Sequence, residues 1–117
     1  MSRITIATCL ALIASIAHAQ PDVRHNDADY QELQQIVEAQ TNCFIKQSKS
    51  KSLAKADLET AAYTVLGRCT DETQRYKAFV AAHDPRTPQQ LLQHWNEQER
   101  EDVETIKQML AVVRTSK

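Results

Sequence analysis

Apolar residues recur along the chain at helical spacing in three long stripes. Tyr30, Leu33, Ile36, Val37 and Phe44, separated by Gln, Glu and Lys, predict an amphipathic helix over about 27–48, with Asn26 or Asp27 as its N-cap. Leu58, Ala62, Val65, Cys69, Tyr76, Phe79 and His83, flanked by Leu66 and Val80, predict a second helix over about 54–83. Its start lies between Ser52 and Asp57, each a competent N-cap type. Leu91, Leu92, Trp95, Val103, Ile106, Leu110 and Val113 predict a third over about 88–115.

The breaks between the stripes are chemically distinct. Ser48 to Lys55 is polar and serine-rich, which reads as a solvated connector. At Asp84-Pro85 the proline disfavours helical geometry in the residue before it. Thr87-Pro88-Gln89-Gln90 then restarts a helix, with Thr87 as N-cap, Pro88 at the first helical position and Gln90 closing a capping box. No alternating run of strand length and no hairpin dipeptide occurs. The expected fold is therefore all-α, an up-down-up three-helix antiparallel bundle. A split of the second helix near Gly67 or Thr70 would give four shorter helices instead.

Two positions disturb the pattern. Gly67, the single glycine, sits inside the second stripe, where it costs about 1 kcal/mol relative to alanine. A close approach to the neighbouring helix beside Cys69 is the expected compensation. Glu99 stands where the third stripe calls for an apolar residue.

Met1 to Ala19 has the layout of a secretory signal: Arg3 as the basic segment, Ile4 to Ala17 as the apolar segment, and Ala17-His18-Ala19 as a small-x-small site, so that cleavage falls between Ala19 and Gln20. Cleavage after Ala17 is the alternative. The apolar run falls short of the roughly 20 residues of a membrane-spanning helix, so no stable membrane insertion is expected after cleavage. Cys9 has almost no apolar segment ahead of it, which disfavours a lipid-anchored cysteine. Gln20 to Asn26, polar and without periodicity, reads as an N-terminal arm, leaving 27–117 as the helical domain. Arg3 is the one basic residue in the signal, and all 15 acidic residues lie beyond it, so the mature chain is close to neutral. That balance gives no electrostatic case for a nucleic-acid partner.

Cys43 and Cys69 remain after cleavage, an even number in a compartment where disulfides persist, so a bond between them is expected. Both lie within predicted helices on apolar stripes, unlike a Cys-x-x-Cys redox pair at a helix N-terminus. If the first two helices are antiparallel with these cysteines opposite, the midpoint of the connection falls at residue 56. The turn is then expected near Asp57, with the first helix continuing past Gln47. The alternative is an early start of helix two after an extended Ser48 to Lys51.

Other candidate chemistry is weaker. His83 and His94 flank one turn with Asp84 and form a possible metal set. Glu97, Glu101 and Glu104 share a helix face, but Arg100 and Lys107 are spaced to pair with them, which reads as a solvated face. Lys46, Lys49, Lys51 and Lys55 offer a cationic surface or an ordinary soluble loop. Trp95 is either core or an interface anchor. A single glycine excludes the usual phosphate loops.

Cys43, the run Ala56-Asp57-Leu58-Glu59-Thr60-Ala61-Ala62 and the following Gly67-Arg68-Cys69 resemble small exported helical proteins of Proteobacteria. In these a cysteine on the first helix is followed by an Asp- and Ala-rich helix ending in a second. The resemblance implies a disulfide-bonded periplasmic or secreted helical protein and carries no activity, cofactor or catalytic residue. The reading is an exported, non-enzymatic helical binding or structural module with an unidentified protein or small-molecule partner. A deep pocket lined by two or more carboxylates or histidines would overturn it. The alternatives are a periplasmic ligand- or metal-binding protein, or an immunity or inhibitor protein for an exported hydrolase.

Overall fold

The computed structural model describes residues 27–116, so the expected cleavage site at Ala19 and Gln20 lies outside the described residues. Four α-helices follow in order: α1 Asp27–Ser48, α2 Leu58–Arg68, α3 Thr70–His83 and α4 Pro88–Thr115, with a 3-10 turn at Lys51–Leu53 between α1 and α2. The described residues contain no strand. None of these helices is long and apolar enough to cross a membrane.

α1 buries Leu33, Ile36, Gln40, Phe44 and Ser48, one residue per turn along a single face. Gln40 fills the gap in the apolar stripe between Ile36 and Phe44, and Tyr30 at the start of the stripe is exposed. The Ser48 hydroxyl donates to the Phe44 carbonyl at 2.6 Å, in the last turn of α1.

α2 starts where Asp57 accepts from the Thr60 amide at 2.8 Å and from the Thr60 hydroxyl at 2.7 Å. These bonds hold the Asp57 carboxyl below its ordinary pKa. The late start agrees with a turn near Asp57, and α1 ends at Ser48, the bound its apolar stripe predicts and one residue past Gln47. Ser48 and Leu58 leave unequal helical lengths to the two cysteines, and the connector from Lys49 to Asp57 spans the difference. Leu53, buried at its centre, ties it to the core. Arg114 near the end of α4 donates from Nη2 to the carbonyls of Leu53 and Ala56.

The predicted second helix is two. Cys69 (φ −107°, ψ 26°) interrupts it, closing α2 with its amide on the Val65 and Leu66 carbonyls and opening α3 by accepting from the Thr73 amide at 3.1 Å. Gly67 carries little helical preference, and the Thr70 hydroxyl turns back onto the Gly67 carbonyl at 2.7 Å. The break therefore sits on the cysteine that the Cys43–Cys69 disulfide fastens to α1, with Cα atoms 5.9 Å apart. The expected close approach at Gly67 is absent: a Cβ there would meet no atom within 4 Å.

α3 ends at His83 and is capped by Asp84, whose extended backbone before Pro85 is the proline effect expected at that step. α4 opens with the capping box complete: the Gln90 amide donates to the Thr87 hydroxyl at 3.2 Å, and the Thr87 amide to Gln90 Oε1 at 3.0 Å.

Two apolar clusters form the core. One joins Phe44, Leu53, Ala61, Ala62, Val65, Cys69, Val103, Ile106 and Leu110. The other joins Leu33, Ile36, Tyr76, Phe79, Val80 and Leu91, with Val37 and Trp95 packed against it. α1 and α4 contribute to both clusters, whereas α2 serves the first and α3 chiefly the second.

Candidate functional site

Between the two clusters the helices present polar side chains. On α1 this is Gln40, whose Nε2 donates to the Thr73 hydroxyl of α3 at 3.1 Å. On α4, where no residue between Leu91 and Val103 is fully buried, Gln98 donates from Nε2 to Oδ1 of Asp102 at 3.1 Å. These four residues line a cleft of about 270 Å³, together with Tyr63, Leu66 and Gly67 from α2, Tyr76 and Lys77 from α3, and Trp95 and Glu99 from α4.

The two disturbances in the stripes thus meet at one place. Glu99 replaces an apolar residue because its position faces the cleft rather than a core. Gly67 lines the same opening with no side chain of its own. Trp95 takes the core role expected of it, packing on the second cluster edge to face with Tyr76 at 6.0 Å between centroids, and it also lines the cleft. The Lys77 ammonium stands 5.8 Å from the indole centroid.

Burial shapes the electrostatics. It pushes the Asp102 carboxyl up to about 6, an effect increased by Glu101 and Glu99 and opposed by the Gln98 hydrogen bond and the Lys77 charge. Tyr76 is pushed up to about 12, by burial first and by Asp102 next. The cleft therefore holds a carboxylate that exchanges its proton under mild conditions beside a phenol that does not.

The other sequence candidates disperse. His83 directs Nδ1 to the Phe79 carbonyl at 2.8 Å and Nε2 towards Asp29 at 3.6 Å, and its ring stacks on Phe79. His94 lies against Trp95, its centroid 4.8 Å away, with Nε2 buried and without a hydrogen-bond partner among the described residues. Burial holds its pKa below the ordinary value, and the Arg86 charge lowers it further. Asp84 is committed to Arg86, which donates to both carboxylate oxygens at 2.9 and 2.7 Å. His83, His94 and Asp84 are thus not gathered into a metal set.

Among the described residues, the one group of three that gathers metal-ligand atoms is Cys43, Cys69 and Glu72, within 4.8 Å of one another. Its two sulfurs are bonded to each other and offer no thiolate. Glu97, Glu101 and Glu104 are exposed, and the ion pair that forms on that face joins Glu104 to Lys107 at 3.2 Å rather than to Arg100. Lys46, Lys49, Lys51 and Lys55 are all exposed around the connector. Lys49 rims a separate apolar groove of about 410 Å³ lined by Ile45, Met109, Val112 and Val113.

Sequence reasoning missed Gln40, Thr73, Lys77, Gln98 and Asp102. The available signal was the long gap between Trp95 and Val103 in the third stripe, which Glu99 marked at one position only. Compared with family models, with curated proteins and with solved structures, the chain finds no match.

Proposed function

We propose that the chain is an exported, non-enzymatic helical binding protein whose ligand occupies the cleft between the two apolar clusters. The observation that carries this reading is the convergence of one tryptophan, two carboxylates, a lysine and hydrogen-bonding amides on a single opening in an otherwise apolar interior. Concave sites with an aromatic wall and a few oriented polar groups are the usual form of a small-molecule site. The cleft carries the two carboxylates that would count against a non-enzymatic reading in a deep pocket, but Glu99 is exposed at its mouth and only Asp102 is partly buried; together they weigh against a purely structural module.

Binding is favoured over catalysis by their placement. Glu99 and Asp102 are one turn apart on α4, so they approach a ligand from the same side rather than bracketing a scissile bond as an acid and base pair does. Export rests on the signal-like Met1 to Ala19 segment with cleavage at Ala19 and Gln20, and the Cys43–Cys69 disulfide supports an oxidising compartment. The topology within this reading is an antiparallel bundle in which α2 and α3 together form the returning arm between α1 and α4.

The test is a titration of the isotope-labelled mature protein with a library of small polar-aromatic fragments, followed by NMR. The single tryptophan gives one indole N–H signal, which reports the cleft without ambiguity. Saturable shifts confined to Trp95, Gln98, Thr73 and Gln40 support the reading. Shifts confined to the Ile45 and Val112 groove, or none anywhere, contradict it.

A further inference from the structure

The charges lining the cleft also indicate the class of ligand. We propose that the cleft selects small organic cations, an ammonium or guanidinium on an apolar body, with the charge held between the Trp95 indole and the Glu99 and Asp102 carboxylates. This inference rests on the reading of the cleft as a binding site.

Three observations carry it. First, the cleft lining holds two carboxylates against one ammonium, so its charge balance is negative. Second, Lys77 already places a cation 5.8 Å from the indole centroid, the arrangement in which an aromatic ring attracts positive charge. Third, that same lysine favours the ionised form of Asp102, so one cation addresses both the ring and the carboxylate. A ligand cation placed there repeats these contacts, and Lys77 is free to swing to solvent on its flexible stem. Tyr63 and Leu66 supply apolar surface for the rest of the ligand. An anionic ligand would have Lys77 as its cationic partner in the lining while facing both carboxylates, and a neutral one would leave two carboxylates sharing the single Lys77 charge.

The experiment follows the Trp95 indole N–H signal at neutral pH and low salt during separate titrations with benzylammonium, benzyl alcohol and phenylacetate, which share an aromatic body and differ in charge. Benzylammonium is expected to bind about tenfold or more tightly than benzyl alcohol, with phenylacetate weakest. Glu99→Gln, a change at an exposed position, should weaken benzylammonium several-fold, and Lys77→Met, compared with wild type at pH 8 so that Asp102 stays ionised, should strengthen it. Equal binding of benzyl alcohol would overturn the cation preference while leaving the cleft as a binding site. Tightest binding of phenylacetate would also overturn it, making Lys77 the anchor of an anion site. No indole shift with any of the three overturns it as well, and the broader fragment titration then decides separately whether the cleft binds at all.

Discussion

The Lys77 ammonium stands 5.8 Å from the centroid of the Trp95 indole, and its charge also lowers the pKa of Asp102 on the same helix as that indole. Because Lys77 opposes the burial effect, Lys77→Met should raise the Asp102 pKa above its value of about 6. The direct measurement is a carboxyl carbon NMR titration. The cost in stability should stay within about 1 kcal/mol, the scale of an exposed cation–π contact. An unchanged Asp102 titration would separate Lys77 from the electrostatics of the cleft.

Cys43 and Cys69 are 26 positions apart in sequence. Closing a loop of that length stabilises a fold by about 3.5 kcal/mol through restriction of the unfolded chain. A Cys43→Ala, Cys69→Ala protein should lose about that much in urea unfolding, and somewhat more because Cys69 is fully buried. Since α2 and α3 meet at Cys69, the helical content of that junction should fall first.

Arg114 fastens the connector to the end of α4 through the carbonyls of Leu53 and Ala56. Its Nε is buried without a partner among the described residues, so the side chain holds its place through Nη2. Arg114→Met should cost about 2 kcal/mol, the range for hydrogen bonds from a charged donor. Amide exchange in the Lys49 to Asp57 connector should accelerate more than in α1 or α4.

A Cβ added at Gly67 meets nothing within 4 Å. Gly67→Ala should therefore stabilise the protein by about 0.5–1 kcal/mol through helix propensity and lower unfolded-chain entropy. A loss of stability in thermal unfolding would show that the α2 to α3 junction requires the glycine backbone.

The helical content, the capping box at Thr87 and the disulfide partners were legible because each depends on local spacing or on a cysteine count. The break at Cys69 falls between Gly67 and Thr70, where the alternative four-helix reading placed it, but the leading reading ran one helix through. The apolar stripe runs through it unbroken, and the interruption reflects competing local hydrogen bonds at Gly67 and Thr70 together with the tie to α1. At the site, Trp95, Glu99 and Gly67 each looked anomalous along the sequence, but nothing in one dimension showed that they meet. Asp102 and Lys77 look like ordinary solvated charges at their positions. Only packing takes the Asp102 carboxyl partly out of water and brings the half-buried Lys77 beside Trp95. Gln40 and Thr73 read as spacers for the same reason.

If the polar cleft is kept for binding rather than for stability, its partly buried Asp102 carboxyl should cost the fold free energy. Its pKa is about 6 in the folded protein against an ordinary 3.8, so ionisation opposes folding. The penalty is absent below the unfolded value, grows between the two values, and is complete above about 6, where it reaches at most about 3 kcal/mol. Glu99, Glu101, Lys77 and Tyr76 remain as charged or titratable neighbours in both proteins. Asp102→Asn keeps an oxygen for the Gln98 amide while removing the buried charge. The decisive measurement is the unfolding free energy of this variant against wild type at pH 7 and at pH 4. We predict that the variant is more stable at pH 7 and that the advantage largely vanishes at pH 4. A variant less stable than wild type at pH 7 would make Asp102 a structural residue and count against a binding role for the cleft.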